Sequence, residues 1–151
     1  MAGKRFDKQL FDLYDKLGKD AAKKYYQDLG HRIDDNTNKY GPDLLLYITG
    51  AFSSYIECEV KRKWVGYEFP SGIVRFPERK SKYLTGEPIK FFMTNIKGDR
   101  ALLVEGKQLK ADSLKEFKNS FVPSGELFYH VDLNNVVFVD ITGSVKEKNE
   151  T

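Results

Sequence analysis

The stretch Pro42-Asp43-Leu44-Leu45-Leu46-Tyr47-Ile48, followed by Thr49-Gly50-Ala51-Phe52-Ser53-Ser54 and then by Tyr55-Ile56-Glu57-Cys58-Glu59-Val60-Lys61, decides how this chain is read. Leu44 to Ile48 is short, apolar and continuous, the pattern of a centrally buried strand. Thr49 to Ser54 reads as the turn that reverses it. From Tyr55 to Lys61 the pattern alternates strictly, with Ile56, Cys58 and Val60 on one face and Glu57, Glu59 and Lys61 on the other. The reading is two adjacent strands, one of which carries three charged side chains on a single face. Burying charge is costly, so such a face implies a use.

Outward from this hairpin, Asp34 to Pro42 is rich in turn formers and reads as the loop that makes Asp43 the first residue of its strand. Upstream, Phe6, Leu10, Leu13, Tyr14 and Leu17, then Ala21, Ala22, Tyr25 and Leu29, recur at helical spacing. They predict one long helix, or two broken at Gly18 with Asp20 as N-cap of the second. Downstream, further strands are expected at 72–76, 89–94, 101–104 and 135–139, a helix over 111–119 from the spacing of Leu114 and Phe117, and a polar tail at 146–151. The fold class is mixed α/β: one domain over 1–151, with a central mixed sheet flanked by helices.

A chain of 151 residues suits a single core, and 40% hydrophobic with 31% charged residues is the balance of a globular protein. No apolar run reaches the ~18 residues of a membrane span, and no apolar stretch follows the basic N-terminus, so an intracellular, cytoplasmic protein is expected, with no membrane partner. One cysteine, Cys58, and two histidines, His31 and His130, exclude an intramolecular disulfide and a zinc site built of Cys and His. A net charge of +3 leans weakly toward an anionic partner.

Cleaving a phosphodiester takes a metal to neutralise developing charge, a positioned water and a nearby cation. Asp43, Glu59 and Lys61 supply the groups for all three. Glu59 and Lys61, two apart on a strand, share a face about 7 Å apart, and a hairpin brings Asp43 to the other side of a metal held by Glu59. Hard oxygen ligands with a water-rich shell select Mg²⁺, with Mn²⁺ as substitute.

Pro42-Asp43 followed by Glu59-Val60-Lys61 resembles the signature of the PD-(D/E)xK superfamily, the restriction-enzyme fold. That resemblance implies that Asp43 and Glu59 are metal ligands, that the Val60 carbonyl adds another, and that Lys61 orients the attacking water. It also implies an acidic residue from the preceding helix; Asp7 and Asp12 are the candidates, and Glu57 is a further acid beside the motif. The size of the chain, the block from Trp64 to Phe69 and Arg75-Phe76-Pro77-Glu78-Arg79-Lys80 resemble more specifically the small group I intron-encoded homing endonucleases of cyanobacteria. This implies a homotetramer that cuts a long pseudopalindromic double-stranded DNA target, leaving 5′-phosphate and 3′-hydroxyl ends.

Each half of the motif alone is common, and only their combination on adjacent strands is informative. The rivals are a junction resolvase or restriction endonuclease of the same fold, and a non-catalytic DNA-binding protein that keeps the basic cluster alone. That cluster is Lys61, Arg62, Lys63, Arg75, Arg79, Lys80 and Lys82, of which the six after Lys61 are read as DNA contacts. His31 and His130 are assigned no catalytic part. Trp64, Tyr67 and Phe69 read as core or subunit-interface anchors, and Cys58 as a small core residue. One active site per domain means that cutting both strands takes at least a homodimer or a dimer of dimers.

Overall fold

Asp7 caps the first element, its carboxylate accepting from the Leu10 N–H (3.2 Å), and α1 (Lys8–Asp28) then runs unbroken for 21 residues. Gly18 does not interrupt it; it lies buried against Cys58 and Val60, where a small residue lets the helix approach the sheet. Asp20, expected as a second N-cap, instead pairs with Lys16 one turn back (2.6 Å). The structure, a computed structural model, describes residues 7–117 and 126–141. Phe6, the end of the helix expected over 111–119 and the polar tail lie outside these.

Nine strands follow in the described residues: β1 (Arg32–Asp35), β2 (Leu44–Ile48), β3 (Ala51–Val60), β4 (Ile73–Pro77), β5 (Ile89–Thr94), β6 (Arg100–Glu105), β7 (Leu114–Glu116), β8 (Leu127–Asp132) and β9 (Val137–Asp140). Six form a mixed sheet in the order β1-β2-β3-β5-β6-β9, and three form a small sheet in the order β4-β8-β7. In the large sheet β3 and β5 run parallel while the other neighbours run antiparallel. A parallel pair needs a crossover. The chain makes it through β4 and a 3₁₀ turn, Glu78–Tyr83, which carries Lys80 back toward β3.

Helix α1 covers one face of the large sheet, burying Ala21, Ala22 and Tyr26 against Leu44, Leu46, Ile56, Phe92 and Ala101. The small sheet covers the other face, where Val74, Phe76, Tyr129 and Val131 meet Phe91, Met93, Leu102 and Val104 around a fully buried Trp64. Among the described residues the sheet is thus flanked by one helix and one sheet, not by helices on both faces. The helix expected over 111–119 is replaced in the described residues by a short 3₁₀ turn and β7, which pairs with β8. Strand pairing outweighs the weak helical spacing of Leu114 and Phe117, and Phe117 instead packs edge-on against Phe128 (5.8 Å between centroids).

The β2–β3 hairpin turns tighter than its sequence suggests. Only Thr49 and Gly50 make the turn, both at positive φ (49° and 82°), as a two-residue primed turn requires, and β3 already begins at Ala51. The register then slips: Tyr47 pairs with Phe52 but Leu46 pairs with Ser54, leaving Ser53 as a β-bulge. Among the described residues no helix is long and apolar enough to cross a membrane.

Candidate active site

Asp43 sits immediately before β2, its carbonyl accepting from the Asn36 N–H (3.0 Å), while the Asn36 side chain donates to the Pro42 carbonyl (2.9 Å). The turn-forming loop thereby holds Pro42-Asp43 in place. Leu44 pairs with Ile56, so one further step of the ladder sets Asp43 opposite Glu57. The bulge decides this pairing. Had Ser53 paired with Leu46, the whole register would stand one residue back and Asp43 would face Ile56 on the helix side of the sheet.

The Asp43 carboxylate accepts from the Cys58 N–H (2.9 Å), and Lys19 Nζ of α1 lies 3.8 Å from its other oxygen. Lys19 is held in turn by Asp15 (3.2 Å). Burial raises the pKa of Asp43, with the Cys58 N–H and Lys19 opposing. Glu57 is 8% exposed; its Oε2 accepts from Lys80 Nζ (2.9 Å), and its Oε1 is buried with no hydrogen-bond partner. Burial, followed by the charge of Asp43, pushes Glu57 up to about 7, with Lys80 opposing. Cys58 points the other way, into the core beneath α1, and burial lifts its thiol pKa. It is the small core residue its position in the alternation suggests.

Glu59 lies on the same face as Glu57, two residues farther along β3 and past the start of β2. Its Oε2 is 3.2 Å from Lys61 Nζ, so this half of the sequence motif forms a local ion pair. The Lys61 N–H donates to the Thr94 carbonyl (2.8 Å), extending the parallel ladder.

Asp43, Glu57 and Glu59 border a cleft of about 750 Å³. Its floor is β3 from Glu57 to Val60 with Asp43; one wall is the N-terminal half of α1, and the other carries Pro77, Arg79 and Lys80, with Arg62 at the margin. Lys61 is not on the cleft wall. Of the helix acids expected from sequence, Asp7 reaches the cleft while engaged as N-cap, whereas Asp12 is exposed and pairs with Lys8 (3.0 Å). Asp15, which the sequence reading passed over, lines the cleft one turn farther on. Its signal was the helical spacing to Phe11 and Lys19, both four residues away.

Among the described residues no three His, Cys, Asp or Glu side chains are gathered as a ready cage for a metal ion. Magnesium seldom requires one, since it is usually held by one or two carboxylates with water and phosphate oxygens completing the shell. Asp43 and Glu57, with the unpartnered Glu57 Oε1 between burial and cleft, fit such a group.

No family model, curated protein or solved structure matches this chain.

The basic residues expected to contact DNA divide into two groups. Arg62, Arg79 and Lys80 line the cleft; Arg62 lies over the Tyr14 ring (4.9 Å) and Arg79 faces Glu126 (3.8 Å). Arg75 turns instead to the small sheet, its guanidinium over the Phe117 ring (4.1 Å) and its backbone paired with His130. Lys63 and Lys82 are exposed, Lys82 over the Tyr83 ring (5.0 Å). His130 is held below its usual pKa by burial and by Arg75 and Lys115, and it lies outside the cleft. The His31 N–H donates to the Tyr26 carbonyl (3.0 Å) and closes the end of α1. Trp64 and Phe69 are core partners, ring to ring at 5.2 Å, whereas Tyr67 is exposed and carries Arg100 on its face (3.6 Å).

Proposed function

We propose that this chain is a metal-dependent, site-specific endonuclease that hydrolyses phosphodiester bonds of double-stranded DNA. The observation that carries the reading is Asp43 set opposite the buried Glu57, on the floor of a cleft whose walls hold Arg62, Arg79 and Lys80. Carboxylates there suit a divalent cation, and cations on the wall suit the phosphates on either side of the scissile bond.

A Mg²⁺ ion, or Mn²⁺ in its place, supplies Lewis acidity toward the phosphate when bound. Asp43 and the acids of β3 would hold it, with the Val60 carbonyl at the same end of the strand as a further candidate ligand. Arg62 and Arg79 bind the non-bridging phosphate oxygens and so fix the backbone across the cleft. A water oxygen then bonds to phosphorus, the bond from phosphorus to the 3′ oxygen breaks, the water gives up a proton to solvent and the 3′ oxygen takes one. The products are a 5′-phosphate and a 3′-hydroxyl. Cutting both strands takes two sites, hence a homodimer or a dimer of dimers such as a homotetramer, and two-fold symmetry favours a near-palindromic target.

The test is cleavage of plasmid libraries bearing candidate targets, and of four-way junctions, in Mg²⁺ and in EDTA. Metal-dependent linearisation of particular duplexes, reduced at least about 10²-fold by Asp43→Ala, is the expected result. Preference for the junction irrespective of sequence would reassign the chain as a resolvase. Binding to DNA alike in Mg²⁺ and EDTA, without a nick in either, would make it a non-catalytic DNA-binding protein.

A further inference from the structure

We infer that the second carboxylate of this site is Glu57 and that its amine is Lys80, supplied by the 3₁₀ turn Glu78–Tyr83, in place of the Glu59 and Lys61 that the sequence motif selects. The inference rests on the nuclease reading above and assigns its chemistry to different side chains.

Distance argues first. Residues directly opposite on antiparallel strands have Cβ atoms about 5 Å apart, whereas diagonal neighbours stand about 7–8 Å apart. A Mg²⁺ ion bonds its oxygens at about 2.1 Å, so two carboxylates that share one ion must approach closely. Glu57 is the opposite neighbour of Asp43, and Glu59 is the diagonal one.

Burial argues next. Glu57 keeps one oxygen on Lys80 and has the other buried on the cleft floor with no donor, its carboxyl within hydrogen-bond reach of the Asp43 carboxyl, an arrangement of two crowded acids that burial penalises unless a cation completes it. Glu59 is more exposed, its side chain at 38% against 10% for Glu57, and already faces Lys61.

The amines divide in the same way. Lys80 Nζ is 2.9 Å from the buried carboxylate, its side chain only 17% exposed, and it lines the cleft. An ammonium there meets a water or phosphate oxygen held at Glu57. Lys61 is spent on Glu59 and does not line the cleft. Lys19 approaches Asp43 from the helix side but is nearer Asp15, and it too is off the cleft wall. The crossover between β3 and β5 explains the substitution: it lays the turn bearing Lys80 over the floor, 23 residues along the chain from Glu57.

The test titrates Mn²⁺ into the full chain, followed by electron paramagnetic resonance, and measures duplex cleavage on the same preparations of wild type, Glu57→Gln, Glu59→Gln, Lys80→Met and Lys61→Met. Circular dichroism checks that each is folded, and Glu57→Asp replaces Glu57→Gln if the latter is not. Glu57→Gln should weaken Mn²⁺ binding at least about tenfold more than Glu59→Gln does. Lys80→Met should bind Mn²⁺ as tightly as wild type or more so, because a competing cation has gone, yet lose at least about tenfold more cleavage than Lys61→Met. The opposite ordering, with Glu59 governing Mn²⁺ and Lys61 governing cleavage, overturns the inference. Wild type that binds Mn²⁺ but cuts no duplex overturns the nuclease reading instead, and the Mn²⁺ titration still decides between Glu57 and Glu59.

Discussion

Replacing Glu57 by Gln should make the metal-free protein more stable at pH 8 and leave it nearly unchanged at pH 5. Burial and the neighbouring Asp43 raise this carboxyl from the ordinary 4.5 to about 7, even with Lys80 opposing. An acid whose folded-state pKa is raised holds a proton that the unfolded chain releases. Its contribution is therefore fully present below the unfolded value and is lost as pH rises through the window from about 4.5 to about 7. At about 1.4 kcal/mol per unit, that shift costs the wild type up to about 3 kcal/mol by pH 8. Gln is neutral throughout and its amide oxygen still accepts from Lys80, so the variant lacks this slope. Urea unfolding of both proteins in EDTA at pH 5, 6, 7 and 8, followed by circular dichroism, measures it. A difference that stays flat with pH, or one in which wild type gains on the variant as pH rises, would refute the reasoning from burial.

Trp64→Ala should cost about 3–5 kcal/mol in the same assay, because the ring is fully buried between Phe69 and Phe138 and its N–H donates to the Tyr67 carbonyl (3.3 Å). Thr49→Asn should raise stability by up to about 1 kcal/mol, since a β-branched residue now occupies positive φ where Asn-Gly is the favoured turn; a lower melting temperature would contradict the turn assignment. Asp12→Asn should leave cleavage and Mn²⁺ affinity within about twofold of wild type, as its carboxylate pairs outward with Lys8, whereas Asp15→Asn, on the cleft wall, should alter both.

Periodicity alone located α1, the β2–β3 hairpin, β4, β5, β6 and β9, because each carries a strong apolar pattern over most of its length. It missed β1, β7 and β8, which are short or sit in segments of mixed character, and whose structure comes from partners elsewhere in the chain. Asp34 and Asp35 read as loop until β2 lies beside them. Glu126 to His130 carried no chemical signal, yet the strand through it builds the second layer against Trp64.

The candidate site divides along the same line. Residue types and local spacing placed acids and a lysine together on β3, because strand alternation is a local property that any reader of the chain can count. They could not say which acid meets Asp43, for that depends on one unpaired residue, Ser53, and a single bulge displaces every pairing beyond it. Nor could they bring Lys80 to Glu57. That contact spans a crossover, and only the packing of the small sheet against the large one sets where the far end of a crossover lies.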